Sequence, residues 1–362
     1  MAINRVELKD FLVFKGEFST DFCSGVNVLI GENGTGKTTL MKVLYWGCEF
    51  SNKSVFEDKT LIIGTNNISP FNTIFTLYSY FSQLRTENTS EYEFKSNIKL
   101  YSDKILFNNY PAFDVSVSSG LGSVQLHHDI GIDTPNNRAF AEWCKLKVQS
   151  VFIPTTEMLS HSRGLLALNR ERPLPFDCTE MDIISKAELE PTRDITPNAI
   201  KIINIITELI GGNVNFDGKD FYIEHENGVS IPFSFEASGF RKLGLLWKLL
   251  RNGLLEKDAV LFWDEPENSL SPDLIPVLVD ILLELSRNGV QIFIATHSEI
   301  FASYFTVNRH SIDNVLFTSL YKDDGRIESN ASERFDLLTP NKLTEEPVKL
   351  YERKLDRGLG GA

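Results

Sequence analysis

Residues 31–38 read GENGTGKT, a glycine-rich segment that lies between a buried-strand pattern and a helical pattern. Residues 25–30 before it form a β-branched run, and residues 37–48 after it carry apolar residues at helical spacing. Glycines at Gly31, Gly34 and Gly36 permit backbone torsions that point successive N–H groups into the loop, where they can bind phosphate. The segment matches the P-loop pattern GxxxxGK[ST] and predicts a strand, a phosphate-binding loop and a helix in an α/β fold.

The motif also assigns chemistry to single residues. The positive N-terminal end of the following helix adds to the anion site. Lys37 would bridge the β- and γ-phosphates, and the hydroxyl of Thr38 would ligate magnesium. A glycine-rich turn with an incidental lysine is the competing interpretation, but on the order of 0.01 such matches are expected in a chain of this length.

A second motif is LFWDEPENSL, residues 261–270. A hydrophobic strand delivers two adjacent carboxylates, Asp264 and Glu265, to the carboxyl end of a sheet, where ligands bind in open α/β folds. Asp264 would hold the magnesium ion. Glu265, which alternation places on the opposite side of the strand, would polarise the attacking water. The alternative is an ordinary solvated strand end, but after a good P-loop the segment is typical of a Walker B motif.

A third motif is VQIFIATHS, residues 290–298, a buried strand that ends at His297. A lone histidine is most often structural; at the end of the strand that follows Walker B, His297 could instead reach the γ-phosphate or the attacking water. The other histidines have no partners at metal-ligand spacing and are interpreted as structural: His127, His128, His161, His225 and His310.

A fourth motif, EASGFRKLG at residues 236–244, precedes Walker B. Gly239 opens a predicted helix, with Arg241 and Lys242 in its first turn, so that the helix N-terminus could face an anion. An ordinary helix start explains the same letters nearly as well.

Composition and charge exclude several classes of protein. Hydrophobic content of 42% and charged content of 23% argue against wholesale disorder. No apolar run is long enough for a membrane-spanning helix, the N-terminus lacks a signal-peptide pattern, and the four cysteines form no CxxC pair. We therefore expect a cytoplasmic protein without a membrane partner. A net charge of −13 does not support nucleic-acid binding, although a basic patch assembled by folding stays open.

The remaining patterns organise the chain. Apolar alternation predicts strands at 91–100, 104–108, 112–118, 148–153, 259–263 and 290–295. Helical spacing predicts helices within 159–211, where prolines split them, and at 240–252 and 272–288. Residues 73–84 fit either state. Asn227-Gly228 predicts a hairpin between 221–223 and 229–235, and residues 311–357 predict a hairpin and a charged helix near 345–357.

Together, the GENGTGKTTL, DEPENSLSPDL and ATHSEIF segments resemble the ABC-type ATPases. The likeness is to the branch with SMC, RecF and OLD proteins, and to the subset called AAA family ATPases that occurs in prokaryotic anti-phage or toxin-type systems. The resemblance covers roughly residues 1–50 and 220–310, whereas residues 50–220 match the family only in their general layout.

The resemblance implies an ABC-type P-loop NTPase with a mixed, largely parallel core sheet, an N-terminal antiparallel β-lobe and an inserted helical subdomain. The implied boundaries are 1–158 for the first ATPase lobe, 159–215 for the helical insertion, 216–310 for the second lobe and 311–362 for a C-terminal extension. That extension leaves no room for the nuclease domain of OLD proteins, so an effector would be a separate protein.

The resemblance also implies site residues and partners. ATP and Mg2+ would lie between two copies, with Glu265, His297 and Lys37 catalytic and Thr38 and Asp264 at the metal. Residues implied to bind the nucleotide in one copy or the other are Gly31, Glu32, Asn33, Gly34, Thr35, Gly36, Lys37, Thr38, Thr39, Ser238, Gly239 and Arg241. Residues 269–273 would form the dimer-facing D-loop, and Gln149, Thr155 and Glu157 are candidates for the Q-loop.

One departure from the family pattern affects the expected rate of ATP hydrolysis. Ala237 stands where the signature segment of the family usually has serine, and Phe240 stands where it usually has Gln or Glu. The leading hypothesis is a homodimerising ATPase that controls a partner effector in anti-phage defence. The alternatives are a nucleotide-gated scaffold with negligible turnover and an SMC- or RecF-like DNA-repair ATPase, against which the net charge counts.

Overall fold

The computed structural model describes residues 3–57, 60–63, 95–105, 110–120, 123–127, 135–172 and 174–358. The first part is an antiparallel lobe with the strand order β2-β1-β6-β7-β8. Its strands are β1 (Ile3–Phe11), β2 (Phe14–Asp21), β6 (Lys95–Ser102), β7 (Phe113–Gly120) and β8 (Ser123–His127). A small hairpin of β4 (Ser54–Glu57) and β5 (Thr60–Ile63) follows the first helix. The predicted N-terminal β-lobe is therefore present.

A six-stranded sheet forms the centre, in the order β16-β15-β3-β14-β13-β9. Its parallel strands are β3 (Val26–Gly31), β9 (Ser150–Ile153), β13 (Val260–Asp264), β14 (Gln291–Ala295) and β15 (Val315–Asp323), and β16 (Arg326–Ser332) pairs antiparallel with β15. Helices α1 (Lys37–Lys53) and α7 (Leu274–Arg287) pack on this sheet; α2 (Pro135–Leu146) packs on α1, and α8 (Glu299–Asn308) packs on α7.

Both faces of this sheet are buried, as the continuous apolar strands predict. On β13, Leu261 and Trp263 belong to the core shared with α7, whereas Val260 and Phe262 belong to the core shared with α1 and the antiparallel lobe. The alternation of side chains along each strand therefore divides one run of apolar residues between two cores.

The segment between β9 and the hairpin is helical and proline-broken, as predicted. It contains α3 (Leu165–Glu171), α4 (Cys178–Ala187) and α5 (Pro197–Ile210). The predicted Asn-Gly hairpin is β11 (Phe221–His225) with β12 (Ser230–Pro232), joined by β10 (Gly212–Phe216) into a three-stranded sheet. Helix α6 (Ser238–Arg251) follows, and α9 (Lys342–Gly358) ends the described chain.

Two expectations need comment. The strand expected at 104–108 is wrong where the structure describes it: Lys104 and Ile105 lie in a turn after β6. Ile105 is buried there, so the apolar letters reflect burial in a loop. The ambiguous residues 73–84 lie outside the described residues. Among the helices that the structure describes, none combines the length and apolarity needed to cross a bilayer.

Candidate functional site

The P-loop lies at the carboxyl end of β3, between this strand and α1. Thr35 is fully buried, and its hydroxyl donates a hydrogen bond to the carbonyl oxygen of Glu32 at 2.9 Å. Glu32, Asn33 and Gly34 are exposed at the tip of the loop. Gly34 and Gly36 have φ values of +75° and +89°, which L side chains rarely adopt. The predicted glycine-dependent turn is therefore present.

Gly31 has the strictest requirement for glycine. Its φ is +146°, and an added Cβ would lie 2.2 Å from the carbonyl oxygen of Leu320 on β15. Gly31→Ala should therefore destabilise the protein by about 3 kcal/mol or more, because neither backbone can yield cheaply. Gly34→Ala is the matched control: the space around Gly34 is open, so only its torsion opposes alanine, at about 1 kcal/mol. Urea unfolding of both variants measures the difference; equal losses would contradict the steric argument.

Lys37 is almost fully buried, and its ammonium folds back onto the loop. It donates hydrogen bonds to the carbonyl oxygens of Gly31 at 2.9 Å and Glu32 at 3.0 Å. Burial lowers the pKa of Lys37 to about 8, although the charges of Asp264 and Glu265 oppose this shift. The ammonium is thus held by the carbonyl groups of the loop, and among the described residues no carboxylate contacts it directly.

This pKa predicts a pH dependence of nucleotide binding. Lys37 is charged below pH 8, and its attraction for phosphate is lost as pH rises through about 8. Bound phosphates raise the pKa, so the affinity for ADP should fall by up to about tenfold per pH unit above that point. Calorimetric titration of ADP between pH 7 and 9.5 measures the slope. Lys37→Arg, if it binds ADP, should give a flat profile because the guanidinium stays charged. A flat wild-type profile would contradict the assignment.

The strand register brings the second and third motifs to the P-loop. Across β14, Ala295 pairs with Asp264 on β13 on one side and with Leu29 on β3 on the other. The hydroxyl of Thr38 donates a hydrogen bond of 2.8 Å to Oδ2 of Asp264. The two residues predicted as magnesium ligands are therefore in direct contact.

Glu265 lies one residue beyond β13 and has a left-handed backbone, with φ of +49°. Its N–H donates to the carbonyl oxygen of Ala295 at 2.9 Å. Its Oε1 atom lies 3.8 Å from Nε2 of His297, and both side chains are about one-third exposed. The alternation of side chains along a strand does not describe Glu265, because its left-handed torsion turns the chain there. Its carboxylate, like that of Asp264, acts to raise the pKa of Lys37.

His297 is held neutral by its surroundings. Burial lowers its pKa, as does the charge of Lys37, whereas Glu265 and Asp264 act in the opposite direction. A neutral imidazole 3.8 Å from the Glu265 carboxylate can donate a hydrogen bond to a water molecule between them or accept one from it.

Two further residues fix this arrangement: Lys242, which the sequence placed only in the first turn of the signature helix, and Glu267, which it did not single out. Lys242 is buried and donates a hydrogen bond of 2.9 Å to the carbonyl oxygen of Glu265. Glu267 accepts hydrogen bonds from the hydroxyl of Thr296 and, at 3.3 Å, from the N–H of His297. Burial raises the pKa of Glu267, whereas those two hydrogen bonds act to lower it. The only sequence signal was their membership in the RKLG and DEPEN segments, since the contacts join distant parts of the chain.

The signature segment begins α6 at Ser238, one residue before Gly239, which was predicted to open this helix. Ser238 donates its hydroxyl to the carbonyl oxygen of Ser269 at 3.4 Å, and a Cβ on Gly239 would contact Leu270. Arg241 lies 3.5 Å from the carboxylate of Glu157, one of the three Q-loop candidates. The signature helix thus adjoins both the predicted D-loop and the segment after β9. Ser238, Gly239 and Arg241 do not contact the P-loop through any described hydrogen bond or ion pair of this chain, and their nucleotide role stays a prediction.

Comparison with known families gives two matches. A model described as an AAA ATPase domain matches residues 1–123. A model described as an AAA domain, putative AbiEii toxin, Type IV TA system, matches residues 158–303. Each match covers less than half of the chain; together with the fold and the order of the motifs, they support an ABC-type P-loop ATPase of the SMC, RecF and OLD-like kind.

Three individual proteins are similar to this chain, and the first of them supports the fold alone. The SMC head bound to the C-winged helix domain of ScpA has 12% identity and a TM-score of 0.50, over 93% of this chain and 99% of that one. The SMC head domain from Thermotoga maritima has 13% identity and a TM-score of 0.45, over 92% and 100%. The glutamine transport ATP-binding protein GlnQ of Geobacillus stearothermophilus is 28% identical over 102 residues, which span 28% of this chain and 37% of that protein.

Proposed function

We propose that this protein binds ATP with magnesium at the P-loop and hydrolyses it, and that ATP closes two copies of the chain around the nucleotide. The observation that carries the proposal is the contact between Thr38 and Asp264 at 2.8 Å, beside the buried Lys37. A phosphate-binding loop, two oxygen ligands and a carboxylate–histidine pair meet at one edge of the sheet.

The residues fit magnesium. A hydroxyl and a carboxylate are the hard oxygen ligands that this ion prefers, and it is commonly bound by one or two such groups together with phosphate oxygens. Thr38 and Asp264 would hold it, and their mutual hydrogen bond keeps both oxygens at the same place. When bound, magnesium would neutralise charge on the phosphates.

Glu265 is the group that would accept a proton from the attacking water. Its carboxylate is partly exposed, and its backbone is held at both ends, by Ala295 and by Lys242. His297, whose backbone N–H donates a hydrogen bond to Glu267, would orient the same water or contact the γ-phosphate. Lys37 would stabilise charge on the phosphates as the bond breaks.

The dimer is supported by the surface beside α6. Asn268, Ser269 and residues 271–273 are exposed; Ser269 lies beside the half-buried Ser238, whereas Gly239 is buried against Leu270. In the ABC-type ATPases that the chain resembles, this surface contacts the nucleotide of the other copy. We place Ser238, Gly239, Arg241 and residues 269–273 in that role.

We further propose that closure controls a separate effector, in the cytoplasm and in defence against phage. The family description that names a putative AbiEii toxin supports this setting, and the four free thiols suit a reducing compartment. The docking arm would be the helical insertion, residues 159–215. Its helix α4 is tied to α1 by Lys42–Asp177 at 2.9 Å and by Lys186–Glu49 at 2.8 Å, so movement of the P-loop helix would reach it.

A nucleotide-gated scaffold with negligible turnover is the second candidate. The observation that favours it is Ala237 at the N-cap of α6, which offers no side-chain hydrogen bond where the family has serine. Both candidates require nucleotide binding, and they differ in hydrolysis.

The test is phosphate release by the wild-type protein with Mg-ATP, together with its mass by light scattering. Turnover with an ATP-dependent doubling of mass supports the sandwich ATPase. Doubling without turnover favours the scaffold. ATP binding without turnover and without a doubling of mass would contradict the ATP-dependent dimer in both candidate functions.

A further inference from the structure

Glu265 opens the Walker B loop, residues 265–270, with a backbone conformation that its surroundings have to hold. Its φ of +49° lies in the left-handed region, which is uncommon for a residue other than glycine. Its N–H donates to the carbonyl oxygen of Ala295 at 2.9 Å, and its own carbonyl oxygen accepts bonds from the N–H of Asn268 at 3.1 Å and from Nζ of Lys242 at 2.9 Å. Such a conformation persists where surrounding contacts fix it. Of these three contacts, the one from Lys242 is made by a side chain.

The ammonium of Lys242 is buried among the carboxylates of the site. Lys242 is 5% exposed. Burial lowers its pKa, whereas the charges of four carboxylates act to raise it: Glu267, Glu265, Asp264 and Glu157. A buried charge is retained where opposite charges compensate it, so this environment holds the ammonium in place. Because its hydrogen bond goes to the main chain of Glu265, the ammonium acts on the backbone of the loop rather than on its carboxylate.

Helix α6, which carries Lys242, also contacts the other end of the Walker B loop. Ser238, four residues before Lys242, donates its hydroxyl to the carbonyl oxygen of Ser269 at 3.4 Å. A Cβ added to Gly239 would lie 3.2 Å from a methyl carbon of Leu270. Residues four apart lie on one face of a helix. The first turn and a half of α6 therefore contacts both ends of the loop, and a displacement of α6 would carry the loop with it.

We propose that Lys242 is the positioning residue of Glu265 and that it couples hydrolysis in one copy of the chain to closure on the other. The first turn of α6 is the part that the proposed dimer places on the nucleotide of the second copy. Closure would fix α6, and through Lys242 it would fix the backbone that directs the Glu265 carboxylate towards His297. The coupling rests on the proposed ATP-dependent dimer, whereas the contact itself is tested below without ATP.

The first experiment is steady-state hydrolysis by Lys242→Met, which keeps the aliphatic stem and removes the ammonium. The value of kcat should fall by about 10- to 100-fold with KM for ATP within about threefold, because a small displacement of a reacting group costs rate, whereas Lys242 has no described hydrogen bond or ion pair with the P-loop. If Lys242→Met does not fold, Lys242→Gln also removes the ammonium and carries the same expectation.

Lys248→Met is the matched control. Lys248 lies on the same helix, is also 5% exposed and donates to a backbone carbonyl oxygen, that of Leu189 in the helical insertion, at 3.5 Å. This variant should keep the wild-type kcat. Equal kcat values in the two variants, or a change confined to KM, would overturn the proposal.

Closure is measured separately in the Glu265→Gln background. Glu265→Gln/Lys242→Met should still double its mass with Mg-ATP, because the signature residues assigned to the second copy are unchanged. Loss of the dimer in the double variant alone would place Lys242 in closure itself, and the coupling would be wrong. Absence of the dimer in both variants would remove the proposed ATP-dependent dimer and the coupling with it; hydrogen exchange then decides whether Lys242 positions Glu265.

Hydrogen exchange without nucleotide tests the contact directly. The N–H groups of Asn268 and Leu270 are bonded within the Walker B loop, to the carbonyl oxygens of Glu265 and Glu267. Lys242→Met should raise exchange in the peptide that covers residues 264–270 by about tenfold, because the loop loses a bond from a charged donor. Lys248→Met should leave this peptide unchanged. Unchanged exchange in Lys242→Met would overturn the positioning role, whether or not the protein hydrolyses ATP.

Discussion

Lys37→Ala should bind ATP and ADP at least about 30-fold more weakly than the wild-type protein, because truncation of a buried charged partner typically costs about 2–5 kcal/mol. The ammonium is nearly buried and its hydrogen bonds are to carbonyl oxygens of the loop itself. Phosphate oxygens would replace those weak acceptors with charged ones, and alanine offers nothing in their place. Calorimetry gives the affinity, and thermal unfolding gives the stabilisation that ligand confers.

Lys42→Ala on the same helix is the control for this variant. Lys42 is also mostly buried and paired, but with Asp177 of α4, away from the loop. It should retain nucleotide binding. Without ligand, Lys37→Ala should unfold near the wild-type temperature, since it removes a buried cation together with two hydrogen bonds. Undiminished ATP affinity in Lys37→Ala would remove the P-loop assignment.

Local patterns predicted the parts of the site that are local in the chain. Residues 31–38 specify their turn through glycine torsions, and the apolar runs before Asp264 and His297 specify buried strands that end at polar groups. Because parallel strands present their carboxyl ends at one edge, the three motifs had to meet once they shared a sheet. The structure confirms these strands and the fold class that the resemblance implied.

Contacts between distant residues could not be predicted in this way. The bond from Lys242 to the carbonyl oxygen of Glu265 joins a helix to a loop, and nothing in either segment specifies the other. The parallel pairing of β15 with β3 was also missed, because residues 315–332 have the pattern of an ordinary hairpin. That pairing matters for function, since the carbonyl oxygen of Leu320 is what makes glycine obligatory at Gly31.

Glu265→Gln should keep nucleotide binding, slow hydrolysis by about 10²- to 10⁴-fold and accumulate as a closed, ATP-bound dimer. The amide has the size of the carboxylate but cannot accept the proton of water. The backbone of the loop should not move, because its contacts with Ala295 and Lys242 are made by main-chain atoms of residue 265. Removing one negative charge near Lys37 also lowers the repulsion of the γ-phosphate, so ATP should bind at least as tightly as in the wild type.

Light scattering after size exclusion, with and without Mg-ATP, detects the trapped dimer, and phosphate release measures the residual rate. Glu299→Gln removes a carboxylate from the first turn of α8, two residues after His297, and should behave like the wild type. If Glu265→Gln hydrolyses ATP normally, the water-polarising role belongs to another group, and Glu267, whose carboxylate accepts a hydrogen bond from the backbone N–H of His297, is then the next candidate. If it binds ATP and stays at the mass of one chain while the wild type turns over, hydrolysis does not require the second copy, because every catalytic group then acts within one chain. A constant mass above that of one chain would indicate a pre-assembled oligomer.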